Sequence, residues 1–214
     1  MGKSKWFDHY ASTFNTVELN STFYRFPKES TVKGWYRKAP KDFVYTLKAN
    51  RAITHTKKFK GTKRLVKDFY KVADVLEEKL GCILFQLPPS VHYKEKKLME
   101  ILDQLDKEKK NDIEFRHSSW WNADVYEEMK KNDAIFCIVS APNLAEDFVK
   151  TAHDIYVRFH GKRWYRYDYS EEELRTYSDS IEKVRARNIW CYFNNDFNAY
   201  SVSNCKSLRH LLSK

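Results

Sequence analysis

Short apolar segments with strand character alternate with amphipathic helical segments along nearly the whole chain. The predicted strands are FNTVEL (14–19), FVYTLKA (43–49), CILFQL (82–87), NDIEFR (111–116), AIFCIVS (134–140), IYVRFHG (155–161) and IWCYFNN (189–195). Several are continuous apolar runs, which are typical of strands buried on both faces of a sheet. Strands that alternate with helices predict βα units around a parallel sheet.

Apolar residues at helical spacing predict the intervening helices. The helices are expected at 4–12, 29–38, 65–80, 94–109, 124–131, from Ser170 onward, and at 198–212. Gly81 is expected to end the helix at 65–80. Ser170 with Glu173 three residues later is the signature of a capping box. No break in the alternation suggests a boundary, so residues 1–214 are predicted to form a single domain.

Two architectures fit this alternation, a (β/α) barrel and an open doubly wound sheet. The barrel is favoured because polar residues recur at one end of nearly every strand, whereas an open sheet gathers them at a switch point. The chain begins directly in a helix, KWFDHYAS. We therefore predict a TIM-barrel-like fold of about seven parallel strands, in which either the barrel has seven strands or a first strand is missing from the sequence. If the first strand is missing, the barrel is expected to be open or only partly closed between 14–19 and 189–195, because strand number, shear and tilt are linked.

Composition limits the class of protein. The 214 residues carry a formal net charge of +10, which favours polyanionic partners. Clustered glycines are absent, which excludes Walker and GxGxxG loops. No apolar run reaches the roughly 20 residues of a membrane span, and the N-terminus lacks the apolar region of a signal peptide. The four cysteines form no CxxC pair, so a cytoplasmic protein with reduced thiols is predicted.

The candidate functional residues are polar side chains at the carboxyl ends of the predicted strands, where parallel α/β sheets carry their sites. They are Glu18, Asn20, Lys48, Gln86, Glu114, Arg116, His117, Arg158, His160, Asn194 and Asn195. Glu114 and Arg116 share one face of their strand, as do Arg158 and His160. An unpaired buried charge is costly, so Glu114 is expected to pair with Arg116 or Arg158.

Cations outnumber carboxylates in this set, and guanidinium groups suit phosphate or carboxylate ligands. An anionic ligand is therefore expected. A divalent metal held by Glu18, Glu114, His117 and His160 stays open, although no metal-binding motif is present and no cofactor is predicted. Glycoside hydrolysis by two carboxylates is a further alternative.

Aromatic residues follow several strand ends, namely Trp120, Trp121, Trp164, Tyr165, Tyr167 and Tyr169. Rings beside arginines can stack on bases or sugars, and they can equally pack over the end of a barrel. The basic run THTKKFKGTKR (54–64) could follow phosphates or form a solvated loop.

The motifs FNTVELNSTFYRFP, FQLPPS, IEFRHSSW, YVRFHG and YFNND occur in this order. The chain thereby resembles the YecE-like family, domain of unknown function 72, over nearly its whole length. The resemblance implies a TIM-barrel-like fold and no settled reaction. The family's strand-end residues would be Glu18, Asn20, Tyr24, Lys48, Gln86, Glu114, Arg116, His117, Trp120, Arg158, His160, Asn194 and Asn195. A first strand with Gly-Thr-Ser-Gly-Trp, usual in the family, is absent here.

The favoured hypothesis is an enzyme that hydrolyses a phosphate-bearing substrate, nucleic acids included, at the carboxyl ends of the strands. The catalytic candidates are Glu18, Glu114, His117 and His160. The substrate-binding candidates are Asn20, Tyr24, Lys48, Gln86, Arg116, Trp120, Arg158, Tyr165, Asn194 and Asn195. The alternatives are a non-catalytic nucleic-acid-binding protein and an enzyme of carbohydrates or organic acids. No membrane partner is predicted. The sequence does not indicate the oligomeric state.

Overall fold

The structure is a computed structural model that describes residue 2 and residues 5–213. The chain divides into two compact units, Met1–Leu87 with Met99–Asn111, and Pro88–Leu98 with Asp112–Lys214. Strands pair in parallel in both units. The α/β class with parallel strands, predicted from the alternation of segments, is confirmed.

The first unit is built around three parallel strands. Its elements are α1 (Trp6–Ala11), β1 (Thr16–Leu19), α2 (Ser21–Tyr24), α3 (Glu29–Lys38), β2 (Val44–Lys48), α4 (Lys63–Ala73) and β3 (Leu80–Gln86). Strand β2 lies between β1 and β3, and Glu18 of β1 is opposite Thr46 of β2. Residues 81–85 of β3 are all buried, which agrees with the continuous apolar run that predicted this strand.

Gly81 does not end a helix, so this prediction was wrong. Helix α4 ends at Ala73, and a 3-10 turn over Asp74–Lys79 follows it. Within this turn Glu77 takes a left-handed backbone conformation with φ 48°, which breaks the helical path. Gly81 then lies inside β3. The apolar spacing continues past Ala73, but Leu76 is buried in the 3-10 turn and Leu80 begins β3.

Helix α5 (Glu95–Leu102) and strand β4 (Lys110–Glu114) cross the division between the units. The second unit continues with α6 (Ala123–Lys131), β5 (Ile135–Phe136), β6 (Ile138–Ser140), β7 (Ile155–Phe159), α7 (Glu171–Val184), β8 (Ile189–Phe193) and α8 (Tyr200–Leu211). The predicted strand 134–140 is split at Cys137. Its first part pairs with β4 and its second part pairs with β7, which also pairs with β8.

Helices α7 and α8 cover the strands β6, β7 and β8 in the second unit. The buried cluster between them consists of Ile138, Ile155, Val157, Phe159, Tyr169, Leu174, Tyr177, Ile181 and Leu208. The predicted capping box is confirmed, because Ser170 accepts from the Glu173 amide and Glu173 accepts from the Ser170 amide. Parallel strands under a helical layer place the carboxyl ends of β6, β7 and β8 at one edge.

None of the described helices is long and apolar enough to cross a membrane. In the described part of the chain the cysteines are not in disulfides, with Cys82 and Cys137 buried and Cys191 and Cys205 partly buried. Burial raises the pKa of the Cys205 thiol to about 11, with the Arg209 charge acting against it. A thiol held this way is a poor nucleophile, because the thiolate is the reactive form.

We expect Glu173 to make stability depend on pH in acid. Partial burial opposes its ionisation, but hydrogen bonds from Lys162, Tyr167 and the Ser170 amide outweigh this and lower the pKa of the Glu173 carboxyl to about 2. Because the folded pKa lies below the ordinary value of 4.5, this stabilisation is present above about pH 4.5 and is lost as the pH falls towards 2.

The change Glu173→Gln removes this ionisation, and thermal melts between about pH 5 and pH 2 measure its effect. The difference in melting temperature between the native protein and Glu173→Gln should shrink as the pH falls through this window. Glu172→Gln, on the same exposed turn of α7, is the matched control. Parallel curves for Glu173→Gln and the native protein would contradict the prediction.

Candidate functional site

The first unit holds five of the predicted site residues: Glu18, Asn20, Tyr24, Lys48 and Gln86. Glu18 and Lys48 are buried on β1 and β2, and the Lys48 ammonium lies 4.6 Å from the Phe23 ring centroid. Asn20 precedes α2, and Tyr24 at its end is exposed. Gln86, half-buried at the end of β3, donates to the Leu87 carbonyl at 3.4 Å.

Thr22 and Asn50, which are outside the predicted set, hold the backbone around Lys48. The Thr22 hydroxyl donates to the Lys48 carbonyl at 2.6 Å. The Asn50 amide donates to the Thr22 carbonyl at 3.0 Å and accepts from the Ala52 amide at 3.0 Å. These side chains fix the carboxyl end of β2, so the position of Lys48 depends on residues that carry no charge.

In the second unit, Glu114 is the centre of a buried charge network. Its Oε1 accepts a hydrogen bond from Nε of Arg116, and its Oε2 accepts one from Nη1 of Arg158. Glu114 is fully buried and Arg158 is nearly so. Glu114, at the end of β4, therefore contacts both of its predicted partners at once. These are Arg116, which follows β4, and Arg158 on β7.

His160 is a neutral acceptor in this network. Its Nε2 lies 2.9 Å from Nη2 of Arg116 and 3.3 Å from Nη1 of Arg158. A guanidinium group can only donate hydrogen bonds, so Nε2 must be the unprotonated nitrogen. The same nitrogen is 4.0 Å from Oε1 of Glu114. The contacts with the two arginines thus assign the proton of the ring to Nδ1.

Asn194 completes the network from the end of β8. Its Oδ1 is 3.4 Å from Nη2 of Arg158, a long hydrogen bond, and its backbone amide donates to the Phe159 carbonyl at 2.8 Å. The structure therefore brings together Glu114, Arg116, Arg158, His160 and Asn194. With His160 neutral, one carboxylate and two guanidinium groups leave a net positive charge.

Arg116 is a partly exposed member of the network, as is Asn194. Its side chain is 11% exposed, and its Cζ lies 5.1 Å from the centre of the Trp164 ring. Nε and Nη2 are used by Glu114 and His160, whereas Nη1 has no hydrogen bond within residue 2 and residues 5–213. The geometry thus presents a fixed guanidinium edge with unused donors, which suits an anionic ligand.

His117 lies outside this network. Its Nδ1 caps the turn Ser118–Trp120, with the Ser119 hydroxyl at 2.8 Å and the Ser119 amide at 3.3 Å. Its ring stacks on His92, with centroids 3.7 Å apart and planes at 15°. Because Nδ1 accepts from the Ser119 amide, the Nε2 atom carries the proton when the ring is neutral. His92 was not among the predicted site residues, because it lies outside the predicted strands.

Trp120 and Asn195 are enclosed by the fold. Trp120 is fully buried, stacks on Phe115 with centroids 4.0 Å apart, and donates from its indole nitrogen to the Val91 carbonyl at 2.8 Å. Asn195 is fully buried, and its amide donates to the Tyr167 carbonyl at 2.8 Å and to Oδ1 of Asn204 at 2.7 Å. Both side chains make packing contacts and present no exposed surface to a ligand.

The other aromatic candidate, Tyr165, is half exposed beside His160, with ring centroids 5.9 Å apart. Within the described residues, no group of three or more His, Cys, Asp or Glu side chains is arranged as a metal site would be. Arginine and aromatic side chains recur around the candidate site in the second unit.

These features define an α/β protein whose parallel strands end in an arginine–glutamate–histidine network. The family model described as protein of unknown function DUF72 matches residues 1–214. The chain therefore belongs to the DUF72 family, which confirms the resemblance seen in its motifs.

UPF0759 proteins from two bacteria are similar to this chain at moderate identity. The UPF0759 protein YunF of Bacillus subtilis is 26% identical over 241 residues, covering 95% of this chain and 85% of YunF. The UPF0759 protein YecE of Escherichia coli K12 is 30% identical over 115 residues, and this match spans 53% of the chain and 42% of YecE.

Two crystal structures of DUF72 family proteins share the fold. The protein from Thermotoga maritima has a TM-score of 0.89 and 26% identity, with 100% of this chain and 91% of that chain covered. A protein from Enterococcus faecalis has a TM-score of 0.86 at 20% identity, with 96% and 87% covered.

Proposed function

We propose that this protein is an enzyme that binds a phosphate-bearing substrate through Arg116 and hydrolyses it, with nucleic acids among the candidate substrates. One observation carries the proposal. The Arg116 side chain is held by Glu114 and His160 and packs against Trp164, while Nη1 keeps its donors unused. A guanidinium group held in place in advance loses little freedom when an anion binds, so the contact can be strong.

The charges of the network support an anionic substrate. Arg158 is buried behind Arg116 and shares the Glu114 carboxylate with it. A positive charge in a partly buried setting is screened less than one on an open surface. The same charge would stabilise negative charge that develops on a phosphoryl group during hydrolysis.

In the proposal the predicted catalytic candidates take different roles. Glu114 accepts from two arginines through its two oxygens, so in the proposal it positions Arg116 and does not take a proton. Nε2 of His160 is likewise engaged by both guanidinium groups. His117 follows Arg116 in the chain, and its Nδ1 is engaged by Ser119, so in the proposal it acts as the general acid through Nε2.

The TIM-barrel-like architecture is part of the same proposal, and parallel strands in each unit support it. Glu18 and Lys48 at the carboxyl ends of β1 and β2 keep their proposed roles in catalysis and phosphate binding. A strand-end location is where barrel enzymes carry such residues.

We expect Arg116→Ala to weaken binding of phosphate-bearing ligands about 10- to 100-fold, the loss typical of a charged hydrogen bond. Labelled DNA, RNA and sugar phosphates, incubated with and without divalent cations, give both binding and turnover. Arg175→Ala, which removes an exposed cation paired with Glu171 on α7, is the matched control. Turnover of no substrate in this set, or equal binding by Arg116→Ala, would overturn the proposal.

A further inference from the structure

The loop that follows β7 presents two exposed rings beside Arg116. Trp164 is 38% exposed and Tyr165 is 50% exposed, and their ring centroids are 6.1 Å apart. Trp164 is the ring that packs against the Arg116 guanidinium. Large apolar side chains of this kind are normally covered, and a cluster of exposed ones marks an interaction surface.

Phe197, in the turn after β8, extends this surface. Its ring is 46% exposed, and its backbone amide donates to the Tyr165 carbonyl at 3.2 Å. The Arg166 guanidinium lies 5.3 Å from the Phe197 ring centroid. Trp164, Tyr165 and Phe197, here named the aromatic strip, therefore come from the segments after two strands, which this backbone hydrogen bond joins.

The charge around the aromatic strip is mainly positive. Arg163 and Arg166 are exposed within the loop itself, and Arg116 lies beneath Trp164. The carboxylates nearby in sequence are Asp168, which accepts from Asn204, Glu173, which accepts from Lys162 and Tyr167, Glu171, which pairs with Arg175, and the exposed Glu172 and Asp196. Three of these five carboxylates are thus already engaged, and Arg163 and Arg166 are the charges within the loop next to the rings.

The loop is anchored at several points, so the rings are held in place. The Tyr165 amide donates to the His160 carbonyl at 2.7 Å, and the Gly161 amide donates to the Tyr169 hydroxyl at 2.8 Å. Glu173 of α7 accepts from the Tyr167 hydroxyl at 2.6 Å. A surface that is ordered before binding loses less conformational freedom when a ligand arrives.

We propose that the aromatic strip binds single-stranded nucleic acid, with unpaired bases stacked on Trp164, Tyr165 and Phe197. This proposal rests on the proposed function for one contact only, a backbone phosphate on Arg116. Exposed rings interleaved with arginines match the chemistry of alternating bases and phosphates. The strand must be single, because the bases of a duplex are stacked on one another and cannot lie on protein rings.

The test is fluorescence anisotropy of a labelled oligopyrimidine and of the corresponding duplex, measured with the full chain. Tyr165→Ala and Phe197→Ala should each weaken binding of the single strand about 5- to 100-fold, the range found for loss of one stacked base. Trp164→Ala should do the same, with Trp164→Phe recovering most of the affinity. Trp6→Ala is the matched control, since Trp6 is 56% exposed on α1 in the first unit.

The variants separate this inference from the proposed function. If Arg116→Ala weakens binding of sugar phosphates but the ring variants bind the oligonucleotide normally, the inference is overturned and the proposed function stands. If the ring variants lose the oligonucleotide and Arg116→Ala does not, stacking stands and the phosphate contact falls. Duplex binding as tight as that of the single strand would also overturn the inference.

Discussion

Replacing Glu114 with alanine should lower the free energy of unfolding by about 3–5 kcal/mol, the usual cost of removing one partner from a buried ion pair. Glu114 is fully buried, and its carboxylate accepts from both Arg116 and Arg158. Without it, Arg116 and Arg158 both lose the buried carboxylate that accepts their hydrogen bonds. Urea unfolding followed by circular dichroism measures the loss.

The matched control is Glu171→Ala, which removes the carboxylate of an exposed ion pair with Arg175 on α7. Exposed pairs of this kind contribute about 0–1 kcal/mol, so the two variants should differ severalfold. The double variant Glu114→Leu with Arg158→Met should lose less stability than Glu114→Ala, because replacing a whole buried pair with apolar side chains is often nearly neutral. A Glu114→Ala loss as small as that of Glu171→Ala would disprove the network's structural role.

Strand periodicity explains why part of this network could be predicted from the sequence. Side chains two residues apart lie on one face of a strand, so Glu114 with Arg116, and Arg158 with His160, had to point the same way. The cost of an unpaired buried charge then required a partner for Glu114. The structure contains both ion pairs. The strands themselves followed from continuous apolar runs, such as residues 81–85 of β3.

Contacts made by loops could not be predicted in this way, because no period relates a loop residue to its neighbours in space. His92 stacks on His117 from a segment 25 residues earlier in the sequence. The Phe197 amide donates to the Tyr165 carbonyl and so links the segments that follow two strands. Trp120 reads in the sequence as a ligand contact, yet its ring is fully buried against Phe115.

The second large effect is expected at Gly161, between His160 and the loop that carries the aromatic strip. Gly161 has φ +80°, and a Cβ placed there would lie 2.2 Å from the Cβ of Tyr167. Gly161→Ala combines left-handed backbone strain with a contact that no real Cβ tolerates. We expect a loss of about 2–4 kcal/mol in the free energy of unfolding, measured by urea unfolding.

Two other glycines separate the causes of this loss. Gly61 has φ +63° with nothing within 4 Å of a built Cβ, so Gly61→Ala carries the backbone strain alone and should cost about 1 kcal/mol. Gly34 lies within α3 and also has open space around it, so Gly34→Ala should stabilise the protein by about 0.5–1 kcal/mol. The predicted order is Gly161→Ala, Gly61→Ala, Gly34→Ala, from largest loss to gain.

The clash at Gly161 also links stability to the proposed ligand surface. Relief of the clash requires Tyr167 to move, and the Tyr167 hydroxyl is bonded to Glu173, so the anchored loop must shift with it. If Gly161→Ala folds, it should therefore bind the single-stranded oligonucleotide more weakly than Gly61→Ala does, under conditions where both variants are folded. Equal stability of Gly161→Ala and Gly61→Ala would show that the loop relaxes freely, and the aromatic strip would then not be held in place before binding.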